Sequence, residues 1–298
     1  MKLWNNQWVV LAILALTWGS SFIMIKQSVA VYTPIQVGAL RLCIAGLVLV
    51  GFGWRNIFKI PKKLLPWVII GGSFGNFFPM FLFPLAQKQV SSSMAGILDS
   101  LVPIFVLIFG ALFFGFKSRW TQIMGAALGF FGAIILMRDD AQGTSGDWFH
   151  ASLIVLATVM YGFNSLIISK FLKEIPSFQL SSAVFTIWLG PSLIVLGFSG
   201  FFNDFSGTEV QWQGLGYIVI LGLIGTALAM ILYYNLIRQT SAIFASTVTY
   251  LMPIVAVFWG ILDGETLTWV HALGGILILL GVYLIQMPGR FKKSVHSK

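Results

Sequence analysis

Ten apolar stretches follow one another along the 298-residue chain, at approximately 8–27, 34–53, 66–86, 92–115, 120–137, 150–170, 178–201, 212–236, 242–262 and 269–287. A helix needs about 20 mostly apolar residues to cross roughly 30 Å of hydrocarbon, and each stretch is close to that length. Breakers and polar residues fill the gaps: Thr33-Pro34, Pro61, Pro66, Ser91-Ser92-Ser93, Gly143 to Gly146, Pro176, Asn203 to Gly207 and Pro288-Gly289. No gap is long enough to house a soluble domain. The pattern predicts an all-α membrane protein with ten transmembrane helices. Met1-Lys2 followed by Val9 to Leu16 resembles the start of a signal peptide, but no small-residue cleavage site follows. The apolar run continues through Trp18, Phe22 and Ile25 to Lys26, as a first transmembrane helix requires.

Composition agrees. Hydrophobic residues make up 58% of the chain and charged residues 9%, whereas a soluble domain carries about a quarter charged residues because its surface faces water. The pI near 9.8 does not point to nucleic acid, because the basic residues form no stripe or arm. They sit in the short gaps, and there they orient the chain. With the N-terminus in the cytoplasm, Lys2, Arg55, Lys59, Lys62, Lys63, Lys117, Arg119, Lys170, Lys173, Arg238, Arg290, Lys292, Lys293 and Lys298 face inward. Lys26, Lys88 and Arg138 face outward, with Asp139, Asp140, Asp147, Asp204, Glu209, Asp263 and Glu265. That asymmetry puts both termini in the cytoplasm. The chain has no N-x-Ser/Thr sequon, which disfavours a glycosylated eukaryotic surface protein. The expected location is a bacterial inner membrane, crossed many times.

Shifting the chain against itself reveals a repeat. Leu101-Val102-Pro103-Ile104 matches Leu251-Met252-Pro253-Ile254, and Trp120, Gly125 and Gly132 fall on Trp269, Gly274 and Gly281. Trp18-Gly19 meets Tyr161-Gly162, and Gln36 meets Gln179. Each unit holds five helices, so the second enters the membrane inverted, an arrangement found in secondary transporters. The expected units are 1–140 and 147–290, followed by a basic cytoplasmic tail, 291–298.

Several local patterns resemble the EamA-type branch of the drug/metabolite transporter superfamily. They are Thr17-Trp18-Gly19-Ser20-Ser21-Phe22 followed by Pro34 and Arg41-Leu42, then Leu101-Val102-Pro103. Leu251-Met252-Pro253, Gly264-Glu265-Thr266-Leu267-Thr268-Trp269, Gly274 and Gly281 complete the set. The resemblance implies ten helices, an inverted repeat, a central cavity lined from both halves, and in many members export of amino acids or related metabolites. One departure stands out: Gly115-Phe116-Lys117-Ser118-Arg119 replaces the acidic turn in the first half, leaving Glu265 without a counterpart.

Charge inside a membrane is costly, by about 2.5 kcal/mol or more at a helix centre, so Arg41 and Asp99 are functional candidates. Each lies about seven residues into a segment running inward, hence roughly 10 Å deep at about 1.5 Å per residue. Val184 and Thr249 replace them in the second repeat, so both charges are lost together. Three readings stand: a buried ion pair that fixes packing, an Arg41 clamp on a substrate carboxylate with Asp99 binding an amine or a proton, or two residues that do not touch. Pro103 cannot donate to the Asp99 carbonyl, which predicts a kink there. The third segment is broken by Gly71-Gly72, Gly75-Asn76, Pro79 and Pro84, as a cavity wall or a close helix approach would allow.

Polar and aromatic residues near span centres complete the predicted substrate-binding set of Trp18, Ser21, Arg41, Asn76, Asp99, Tyr161, Asn164, Trp188, Asn235 and Tyr250. For any single one of them, an interhelical hydrogen bond or core contact outweighs ligand contact; as a set they point to a cavity. Trp4, Trp8, Trp54, Trp67, Trp120, Trp148, Trp212 and Trp269 sit at span ends, as interfacial anchors do. Gly125-x-x-x-Gly129 and Gly274-Gly275 with Gly281 suit close packing within a monomer or a homodimer contact.

No cofactor or metal is expected. Cys43 is the only cysteine, and His150, His271 and His296 are scattered. No G-x-x-x-x-G-K-Ser/Thr loop exists to bind ATP, and no nucleophile–base pair suggests an enzyme. The partners expected are membrane lipid and a small-molecule substrate, not nucleic acid. The expectation is a secondary transporter exporting an amino acid or related metabolite by alternating access, with proton coupling open. A facilitator or exchanger of another solute, or a structural or sensory membrane protein, are the rivals.

Overall fold

The computed structural model describes residues 6–115, 119–140 and 147–286, apart from the side chains of 136–140 and 147. Lys2, Trp4, Lys117, the Gly143–Gly146 gap and the basic tail lie outside them. The described chain is helical, with no strand. Eight helices are long and apolar enough to cross a membrane: α1 (Gln7–Val29), α2 (Pro34–Lys59), α3 (Lys62–Ala86), α4 (Ser92–Phe114), α6 (Trp148–Leu172), α7 (Ser177–Phe198), α8 (Glu209–Gln239) and α9 (Ala242–Leu262). Two further apolar helices, α5 (Trp120–Asp140) and α10 (Trp269–Gln286), have shorter described apolar stretches.

The helix starts follow from local chemistry. Thr33 caps α2 in a reciprocal box with Gln36, and Pro34 takes the first turn, where its missing N–H costs nothing. Ser91 caps α4 through Met94 N, and Thr208 and Gln211 box the start of α8. Trp8, Trp54, Trp120, Trp148, Trp212 and Trp269, at helix ends, all point out of the bundle. Trp67 instead stacks on Phe171 with ring centroids 3.8 Å apart.

Packing pairs α5 with α10, α2 with α7, α1 with α9 and α4 with α6. Gly125 lies against the Gly281 carbonyl, Gly281 against the Gly125 carbonyl, and Gly132 against the Gly274 carbonyl. The two helices therefore run antiparallel with their backbones in contact, the close approach that small residues permit.

Four helices are interrupted, and the interruptions shape the interior. α3 carries a π-turn at Ser73–Phe77, and α8 carries one at Leu223–Leu228. α4 breaks after Asp99 and resumes at Val102, one residue before Pro103, where the sequence predicts the kink. α9 breaks between Ala245 and Val248. Pro253 cannot donate to the Thr249 carbonyl. Ser100 Oγ donates to that carbonyl instead, at 2.8 Å, so the break in α4 satisfies the acceptor left over in α9.

Candidate functional site

The interrupted helices, with their neighbours, surround a cavity with walls from α1, α2, α3, α4, α6, α8 and α9. Its polar and charged lining is Ser21, Arg41, Asp99, Tyr161, Asn164, Ser165, Tyr233 and Thr249, with the Trp18 indole. The rest is apolar: Phe22, Ile25, Met80, Phe83, Val102, Met230, Val248 and Met252, plus Gly75.

The α8 π-turn builds one end of the site. A π-turn adds a residue to the helix and releases backbone carbonyls. Gly225 O accepts from Trp18 Nε1 at 2.9 Å and from Arg41 Nη2 at 3.4 Å. Thr226 Oγ1 accepts from Arg41 Nε at 2.8 Å while donating to Leu221 O. These contacts fix the guanidinium, and Nη1 has no acceptor among the described residues. Trp18 in turn meets the Tyr233 ring edge-on, with centroids 5.1 Å apart.

Asp99 forms the opposite charge. It is 3% exposed, and its Oδ1 receives no hydrogen bond from any described residue. Arg41 and Asp99 therefore share one cavity without pairing; the ion pairs among the described residues are those of Lys26 with Asp263 and Glu265. This corrects the reading of Arg41 and Asp99 as a packing ion pair. Arg41 is held instead by α8, the consequence of a π-turn that the sequence does not announce.

Six of the ten predicted residues line the cavity: Trp18, Ser21, Arg41, Asp99, Tyr161 and Asn164. The other four lie outside its lining. Asn76 is fully buried within the α3 π-turn and donates from Nδ2 to the Tyr234 hydroxyl at 3.0 Å. Trp188 stacks on Phe77 with centroids 4.4 Å apart. Tyr250 donates to Val282 O at 3.3 Å, towards α10. Asn235 is half-buried next to Tyr234. Sequence reasoning missed Tyr233, Ser165, Phe83 and the three methionines; on α8 it took Asn235, two residues beyond Tyr233, instead.

Glu265, the unmatched acid, lies away from the cavity and closes one end of the bundle. Its carboxylate accepts from the backbone N–H and hydroxyl of Ser92 and of Ser93, at 2.6–3.0 Å, and from Lys26 Nζ at 2.7 Å. It thus ties the α9–α10 loop to the N-terminus of α4, where the helix dipole favours an anion, and to the end of α1. Burial pushes its pKa up, but the hydrogen bonds from Lys26, Ser93 and Ser92 outweigh that and hold it down at about 2. Lys26 also pairs with Asp263 at 2.8 Å.

Among the described residues no three His, Cys, Asp or Glu side chains assemble to hold a metal.

The EamA-like transporter family model matches the chain twice, over residues 6–138 and 148–287. The chain belongs to the EamA-like transporter family. It is a multi-pass membrane protein of a family whose members move small molecules. It is 30% identical to the uncharacterized inner membrane transporter YedA of Escherichia coli (strain K12), over 92% of this chain and 88% of that one. It is 24% identical to a probable terminal-alkyne amino-acid exporter of Streptantibioticus cattleyicolor, over 96% of this chain and 95% of that one. A crystal structure of another protein has the same fold, with a TM-score of 0.64 at 18% identity, covering 95% of this chain and 96% of that one.

Proposed function

We propose that this protein is a secondary transporter that exports an amino acid or a closely related metabolite across the inner membrane. The observation that carries the reading is the cavity itself. It brings one buried guanidinium and one unpartnered carboxylate into a single apolar chamber. Leaving both charges without a ligand is costly in hydrocarbon. A zwitterion with an apolar body supplies a counter-charge for each. The relative named as an amino-acid exporter supports the same class, and YedA supports the inner membrane.

In this reading the chain crosses the membrane ten times, with both termini in the cytoplasm and with 1–140 and 147–290 as inverted units. The two matched stretches at 6–138 and 148–287 support that division. So does the antiparallel meeting of the repeat-related glycines of α5 and α10. Alternating access then comes from rocking one unit against the other around the cavity. Asp99, with no cation beside it, is the group able to carry a proton in exchange for substrate.

The test is uptake and counterflow in proteoliposomes with a panel of amino acids, with and without a pH gradient. Counterflow of at least one amino acid, accelerated by a gradient, is the expected result. Counterflow without any effect of the gradient leaves an exchanger or facilitator. No movement of any amino acid removes the reading.

A further inference from the structure

We propose that the cavity selects a primary ammonium, with Asp99 and Asn164 accepting its protons while Arg41 holds the carboxylate at the other end. This rests on the amino-acid reading above and narrows it: quaternary analogues, which bring no N–H, are rejected.

Most of the cavity's hydroxyl protons are directed into the protein. Ser21 Oγ donates to Thr17 O at 2.9 Å, and Thr249 Oγ1 to Ser246 O at 2.9 Å. Ser165 Oγ donates to Tyr161 O at 2.9 Å, so its single proton is used. The 2.8 Å contact between Ser165 Oγ and the Tyr233 hydroxyl must then be a donation from Tyr233. Four lining hydroxyls have therefore turned their protons into the protein and left lone pairs behind.

Against this stand two buried acceptors with no donor among the described residues, Asp99 Oδ1 and Asn164 Oδ1. Their residues are 3% and 2% exposed, and both line the cavity. Buried acceptors of this kind are normally satisfied. The cavity therefore holds two acceptors that no described donor satisfies, although the Asn164 amide N–H2 and the Tyr161 hydroxyl are donors of the same lining. A primary ammonium brings three donors and one positive charge, which suits a carboxylate, an amide oxygen and one hydroxyl oxygen. The charged donor of the site, Arg41, is held at the α8 π-turn, so the ligand's two charges are read at separate places.

A quaternary ammonium is the rival, because the aromatic residues Trp18 and Tyr233 line the cavity and aromatic rings attract cations without hydrogen bonds. Such a ligand would leave both orphan oxygens unsatisfied, which is why the geometry favours the primary amine.

The experiment measures thermal stabilisation of the full-length protein in nanodiscs by L-leucine, L-phenylalanine and L-methionine. The N-methyl and N,N,N-trimethyl derivatives of the best binder and its deaminated acid follow. The expected result is a loss of about ten-fold or more in affinity on N,N,N-trimethylation, which removes every N–H, since a site built to hydrogen-bond a group rejects analogues lacking it. Asn164→Ala should compress that ratio to about three-fold or less. Asn164→Ser serves if the alanine variant does not fold. Trimethyl binding as tight as the free amino acid overturns the proposal, as does an unchanged ratio in the Asn164 variant, and either result leaves amino-acid transport standing. Stabilisation by none of the three amino acids removes the amino-acid reading and this inference together.

Discussion

Arg41 and Asp99 line one cavity, and no ion pair joins them. Arg41 is anchored instead to Thr226 and Gly225 on α8, while Asp99 Oδ1 has no donor among the described residues. Two buried charges kept apart in this way are available to a ligand. Had they been paired, each would have cancelled the other's pull on substrate.

Arg41→Ala and Asp99→Asn are therefore expected to lower transport of a zwitterion by about ten-fold or more each, with the protein still inserted and folded. Arg41→Lys should rescue only in part, because a point charge cannot hold both the Thr226 hydroxyl and a carboxylate in one plane. Initial rates in proteoliposomes, normalised to reconstituted protein, check this. Rates equal to wild type for Arg41→Ala would remove Arg41 from the site.

Ser100→Ala should destabilise the bundle by about 1–3 kcal/mol, because the Thr249 carbonyl that Pro253 cannot satisfy is then left without its donor. A lowered melting temperature in detergent is the readout. An unchanged one shows that another group takes over this carbonyl.

Glu265→Gln should open the end of the bundle where α1, α4 and the α9–α10 loop meet, lowering thermal stability by about 1–3 kcal/mol at neutral pH. The sign of the pH effect follows from the depressed pKa. The carboxylate's contribution is fully present above its ordinary value of 4.5 and is lost as pH falls towards about 2. The gap in melting temperature between wild type and Glu265→Gln should therefore narrow across that acid window. A gap that stays constant contradicts the assignment of the ion cluster to Glu265.

Gly125→Ala places a methyl against the Gly281 carbonyl, whereas Gly216→Ala meets nothing within 4 Å. The first should cost about 1–3 kcal/mol by overpacking α5 against α10, and the second should be neutral or slightly stabilising. Thermal unfolding of the two variants side by side separates close packing from a general intolerance of alanine.

The helices were legible in the sequence because apolar length and breakers dictate them directly, and Pro103 announced the break beside Asp99. That Arg41 and Asp99 lie at a common level, on one cavity, was also legible from their matched places along α2 and α4. Their failure to pair was not, because depth says nothing about which neighbour a side chain reaches. The π-turns account for the rest. An extra residue at Leu223–Leu228 rotates everything after it, so a regular helical period cannot tell which of Tyr233, Tyr234 and Asn235 faces inward. Tyr233 does, while Tyr234 bonds Asn76 behind the wall. Trp188 was misplaced for a related reason: a centrally placed indole can as readily stack on Phe77 as face a cavity.

The central claim is that this cavity is the substrate's path, and cysteine accessibility at Asn164 tests it most directly. In a background with Cys43, the only native cysteine, replaced by alanine, Asn164→Cys should be labelled by membrane-impermeant maleimide from each side of the membrane in turn, and a transported amino acid should slow the reaction. Asn235→Cys, outside the cavity lining, should show no such protection. Labelling of Asn164→Cys from neither side would contradict transport through this site.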